Sequence, residues 1–125
     1  MANEITYSVS MAASKGGASI NSGTLSDTVD MSGTDVGTET SNATTTAALI
    51  AAPVSLTWAT KVRMVVKNLS ATPGEIITIG VDNASPPTQE IAFLNAGESF
   101  LTCINAQPYI YGSTTILYQA WYAEA

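Results

Sequence analysis

Residues 4–11 read Glu-Ile-Thr-Tyr-Ser-Val-Ser-Met, a strict alternation that sends Ile5, Tyr7, Val9 and Met11 to one side. Period two predicts a strand with one buried face. A turn at Ser14-Lys15-Gly16-Gly17 follows, and then a long stretch to about Thr46 rich in Ser, Thr, Gly and Asp. Its apolar residues are sparse: Ile20, Leu25, Val29, Met31 and Val36. This pattern predicts a loop or an extended arm with a short strand around residues 24–31, and the arm reading has it ordering on a neighbouring subunit.

From Thr46 the pattern tightens. Ala47–Ala52 suits one helical turn or a short strand, and Pro53 stops it continuing as a helix. Residues 61–68 alternate Val62, Met64 and Val66 with Arg63, Val65 and Lys67, which is the clearest strand signal in the chain. Pro73-Gly74 fits the central positions of a type II turn. Further strands are predicted over residues 75–81, 89–94, 98–104 and 114–122, separated by Asp82–Pro87 and Asn95–Gly97. The last of these carries aromatics on both faces. No segment has the period of an amphipathic helix. Short, regularly spaced strands with Gly, Pro, Asn and Ser turns predict an all-β fold: an antiparallel β-sandwich, the jelly roll being one strand order open to it, with an extended polar N-terminal arm or loop. The expected organisation is one domain overall, with the first strand and arm in residues 1–46 and the sandwich in 47–125.

Composition sharpens this picture. At 125 residues the chain is one ordinary domain, long enough for a core without staples. Only 11% of residues are charged, against about a quarter in a typical globular protein. Thr, Ser, Ala and Asn take their place, which suits close packing against neighbours. The net charge is −6, with Lys15, Lys61, Arg63 and Lys67 as the cations. Four cations do not make a phosphate-binding footprint, so nucleic acid is not an expected partner. No stretch approaches the roughly 18–20 apolar residues that span a bilayer, so no membrane partner is expected. Met-Ala-Asn-Glu-Ile-Thr has neither a basic region nor an apolar segment, which sets the expectation of synthesis and folding in a cytoplasm without export. Cys103 has no second cysteine to pair with and reads as a small core hydrophobe.

The search for chemistry finds little. The chain has no histidine, which removes the commonest general base and most transition-metal sites. Ser14 and Lys15 are adjacent, and neighbours on an extended segment point apart, so they make no nucleophile–base pair. Glu75, Glu90 and Glu98 lie beside turns, where solvated carboxylates are the ordinary case. Asp27, Asp30 and Asp35 lack the spacing of a calcium loop. No catalytic residue, metal ligand or cofactor site is therefore assigned, and the expectation is a protein that is not an enzyme. The remaining candidates are Tyr109, Tyr111, Tyr118, Trp121 and Tyr122, since tyrosine and tryptophan serve interfaces and sugar-stacking platforms alike.

Two stretches carry a resemblance. Residues 62–82 form a "strand, Lys-Asn-Leu, turn, Ile-Gly-x-Asp" unit, and Phe93-Leu-Asn-Ala-Gly-Glu-Ser-Phe-Leu101 forms a "Gly-Glu, apolar" hairpin. This order, ending in a tyrosine-bearing strand, resembles small virion proteins of tailed bacteriophages, including capsid decoration (cement) and head-fibre proteins. The resemblance covers residues 60–122. It implies a non-enzymatic structural protein on the outer surface of a phage head, stabilising capsomer junctions. The implied partners are the major capsid protein and other copies of the chain, as a homotrimer or a dimer. A phage tail component or a receptor- or glycan-binding module is the other function it accommodates.

Overall fold

The computed structural model describes residues 5–31, 35–58 and 61–124. Among them the chain forms β1 (Ile5–Val9), β2 (Ala12–Lys15), β3 (Ala18–Asn21), β4 (Leu25–Val29), β5 (Val36–Ala43) and β6 (Ala48–Leu49). There follow β7 (Val62–Asn68), β8 (Ile77–Gly80), β9 (Glu90–Leu94), β10 (Ser99–Ile104), β11 (Tyr109–Gly112) and β12 (Ile116–Glu124). The fold is all-β, as the alternation predicts.

Strands β5 to β12 pair as a single long antiparallel hairpin. β5 bonds β12, β6 bonds β11, β7 bonds β10, and β8 bonds β9 at the closed end. Rolling that hairpin up lets β12 also pair with β7, and β11 with β8. The result is two four-stranded sheets, β10-β7-β12-β5 and β6-β11-β8-β9. Eight strands distributed in this order make a jelly-roll sandwich. β5 comes from the polar stretch that the sequence reading assigns to the arm. Its Thr, Ser and Asn side chains gave no apolar signal because it is an edge strand with one neighbour.

The two inner faces meet as period two requires. Val62, Met64, Val66 and Asn68 of β7 point inward beside Ile116, Tyr118, Ala120, Tyr122 and Glu124 of β12. Ile77, Ile79, Leu94 and Ile110 face them from the second sheet. Each such aliphatic side chain contributes about 1.5–3 kcal/mol by leaving water.

Two buried polar anchors tie the connecting segments to the inner faces, with Tyr118 and Asn68 directly opposite each other in the β12–β7 ladder. At one, the Ala51 N–H donates to the Tyr118 hydroxyl at 3.0 Å, and the Tyr122 hydroxyl donates to the Ala51 carbonyl. The link between β6 and β7 is thereby tied to the central strand of the first sheet. Trp58 from the same link meets the Tyr122 ring edge-on, with centroids 5.8 Å apart. Pro53 packs where Gly37 has no side chain; a Cβ there would lie 2.4 Å from the proline ring. At the other, Asn68 Nδ2 donates to the Glu75 and Leu94 carbonyls, each at 3.0 Å, and Oδ1 accepts from the Ser70 N–H at 2.9 Å. The turns flanking it follow their residues: Glu75 N–H bonds Thr72 across Pro73-Gly74, with Gly74 at φ 89°, as a type II turn needs.

Removing either polar anchor leaves buried groups unpaired. Asn68→Ala is expected to cost about 2–4 kcal/mol, and Tyr122→Phe about 1–3 kcal/mol, read from denaturant unfolding. Burial also raises the phenol pKa of Tyr118 and Tyr122. A folded pKa above the unfolded one stabilises the fold below about pH 10, and that contribution fades as pH climbs further. Absorbance titration should therefore show these two phenols ionising at higher pH in the folded chain than in the unfolded chain, where all tyrosines titrate together.

Candidate functional site

Residues 5–31 build a feature outside the sandwich. β1 pairs with β4 and β2 pairs with β3, so the segment is one long antiparallel ribbon turning at Gly16-Gly17. Both glycines have positive φ, 59° and 86°, which is what a two-residue hairpin turn requires. A joint interrupts the ribbon between the two ladders. There the Ser22 N–H bonds the Met11 carbonyl at 2.9 Å, and the Met11 N–H bonds Ser22 Oγ at 2.8 Å. Residues 5–29 are therefore a hairpin ordered by its own backbone, while Val36–Ala43 of the same polar stretch belong to the sandwich.

Opposite residues of an antiparallel pair share a face. Ile5/Val29, Tyr7/Asp27 and Val9/Leu25 lie on one side of the ribbon, Thr6/Thr28 and Ser8/Ser26 on the other. The base of the apolar side rests on the outer face of the first sheet. Ile5 and Tyr7 line a cleft there with Arg63, Val65, Leu101 and Trp121. The Arg63 guanidinium carbon sits 4.6 Å from the Tyr7 ring centroid, a cation–π contact. Beyond Tyr7 the cover ends. Val9 is 43% exposed, Met11 58%, Ile20 55% and Leu25 57%. Every residue of β2 and β3 is exposed.

The five aromatic candidates separate into three environments. Tyr118 and Tyr122 are 1% and 3% exposed and belong to the core, so they offer no surface to a partner. Their positions on the inner face of β12 send Trp121 outward, where it is 38% exposed beside the arm base. Tyr109 and Tyr111 project from the outer face of the second sheet. Tyr111 lies opposite Thr78, and Thr78 opposite Phe93, giving a row across β11, β8 and β9. Thr78 is buried between its ring neighbours, while Phe93 is 57% exposed. Leu49 stands opposite Tyr109 and is exposed as well. Phe93 was not legible as a surface residue, because Ile91-Ala92-Phe93-Leu94 is apolar on both faces. Ile20 was missed because β3, Ala-Ser-Ile-Asn, has one large apolar residue and shows no period.

A braced loop borders this second face. Asp82 accepts from the Thr88 hydroxyl at 2.5 Å, from the Gln89 N–H at 2.9 Å and from the Ala84 N–H at 3.1 Å. Pro87 thereby packs on Gly80, where a Cβ would approach it to 2.4 Å. Gly80 is thus required by close approach. Cys103 is exposed on the outer face of β10, not buried as the sequence pattern suggested, because its row partner is Arg63 and the inner positions of β10 are Phe100, Thr102 and Ile104. Among the described residues no three or more His, Cys, Asp or Glu side chains come together as a metal site.

The Thr88 hydroxyl first, and the backbone N–H groups with it, hold the Asp82 carboxyl down to about 2. A depressed folded pKa stabilises the loop above the unfolded value of 3.8, and the contribution is lost as pH falls towards 2. The Asp82 carboxylate resonance should titrate with a midpoint near 2, and Asp82→Asn should loosen residues 82–88 at neutral pH as judged by amide exchange.

Comparison with protein-family models, with curated proteins and with solved structures found no match to this chain.

Proposed function

We propose that this chain is a non-enzymatic structural protein of a bacteriophage particle: a decoration protein that binds the outer surface of the head, with the major capsid protein as its partner. The observation that carries this reading is the arm, a ribbon whose apolar side is covered at its base and bare from Val9 outward. A lone two-stranded hairpin is marginal in water, and exposed Met, Ile, Leu and Val add hydration cost without packing gain. Such a ribbon makes physical sense as a docking element that completes its packing on another protein. A charge-poor exterior of net −6 suits a role on a particle filled with nucleic acid, since it does not capture that polymer. The jelly roll is found in viral capsid domains, and also in lectins and cupins, so it supports the reading only by analogy.

The row of Tyr111, Thr78 and Phe93 favours a second reading, a tail or receptor-recognition module that stacks sugar rings on this face. Glycan binding by the isolated protein, abolished by Phe93→Ala, would replace the first reading with this one.

The decoration reading is tested on purified virions. Ile20→Asp with Leu25→Asp should leave circular dichroism unchanged, because both side chains are exposed. It should reduce head occupancy by the equivalent of about 3 kcal/mol or more, on the order of a hundredfold in affinity. Full occupancy after deletion of residues 1–30, or particles that never carry the protein, would refute the proposal.

A further inference from the structure

A sandwich has four sheet edges, and each exposes a row of backbone N–H and C=O groups that invites a foreign strand. Proteins blunt such edges by brevity, charge, proline, bulges or cover. Three of the four here show one of these devices. β6 is two residues long. β9 carries a register irregularity opposite Ile79/Gly80. β10 is overhung by the arm, whose residues 6–10 line a cleft with Ser99, Phe100 and Leu101 as the ribbon leaves the sheet.

β5 differs. It is eight residues long, Val-Gly-Thr-Glu-Thr-Ser-Asn-Ala, with no lysine, no proline and an unbroken register against β12, and its one charge, Glu39, lies half-buried on the inner side, so its outer face carries none. Its flanking carbonyls are used, Asp35 by the Glu124 N–H and Thr44 by the Gly112 N–H. Among the described residues, those of β5 itself bond to β12 alone through the backbone.

We infer that β5 pairs antiparallel with β5 of a second copy of this chain, fusing the two first sheets into one continuous sheet across a two-fold axis. The register is restricted by symmetry. Opposite residues share a face, so a two-fold antiparallel pair must set one residue opposite itself. An axis at Glu39 would bring two carboxylates together. An axis at Thr40 gives the longest overlap that avoids this: Thr38 opposite Asn42, Glu39 opposite Ser41, and Gly37 opposite Ala43. On the outer face Thr40 meets Thr40, a hydroxyl pair of the kind that stabilises sheets. On the inner side Glu39 stands opposite Ser41 rather than another carboxylate. This inference does not depend on the proposed function and fails or stands apart from it.

Sedimentation of the full chain over a dilution series tests it. The expected mass is that of two chains, halved by Thr40→Lys, which puts two ammonium groups face to face while leaving an exposed position of the monomer fold undisturbed. In a Cys103→Ser background, Thr40→Cys should cross-link two chains on mild oxidation. A single-chain mass for the unmodified protein, an assembly that Thr40→Lys leaves intact, or absence of the cross-link overturns the inference.

Discussion

The sandwich depends on β12 being sandwiched within its own sheet. It pairs over its length with β5 on one side and β7 on the other, so its residues must divide between two faces. The inner face receives Tyr118 and Tyr122, two pleat repeats apart, and both hydroxyls converge on the single residue Ala51. That convergence settles how the segment between the sheets crosses, where Trp58 lands, and why Gly37 must lack a side chain to admit Pro53. Two polar tips in an apolar interior would be costly alone; bonded to an otherwise unpaired backbone N–H and C=O, they satisfy each other.

The same division of faces controls the exterior. Trp121 is outward because its neighbours are inward, and with Val65 and Leu101 it forms the apolar floor on which the arm base rests. The arm is therefore not an independent appendage. Its position derives from the alternation of β7, β10 and β12, and Tyr7 stacking on Arg63 sets where it lies. Core packing, sheet exterior and arm placement form one chain of consequence that begins with side-chain alternation in a central strand.

The legibility of each element followed from its environment. β7, β9, β10 and β12 were readable because they are runs of β-branched or aromatic residues bounded by turn residues, and β7 adds a contrast between faces. β1 was readable from that contrast, although only Ile5 and Tyr7 of its apolar stripe find cover. β2, β3 and β5 escaped notice because solvent lies against them, and residues such as Ser, Thr, Asn and Ala carry no period that distinguishes strand from loop. β11 was hidden by its shortness and by aromatics at Tyr109 and Tyr111 that read as site rather than strand. The aromatic candidates were identified as a group from proximity in sequence. Alternation along residues 114–122 already separates Tyr118 and Tyr122 from Trp121; that the tyrosines take the core face was not legible until the second sheet was in place. Cys103 shows the same limit: apolar flanks cannot say which face a residue takes.

The stiffness of the ribbon has a geometric consequence. From Val9 to Lys15 the chain rises about 3.3 Å per residue, a reach of roughly 20 Å beyond the last cover, compared with a radius of gyration near 13 Å for about 100 residues. A flexible tether of equal contour would sample a volume and lose most of its grip to chain entropy. A paired ribbon instead delivers its tip to one place, as a strut rather than a leash, so any body gripped at Gly16-Gly17 is held at a set stand-off from the sandwich.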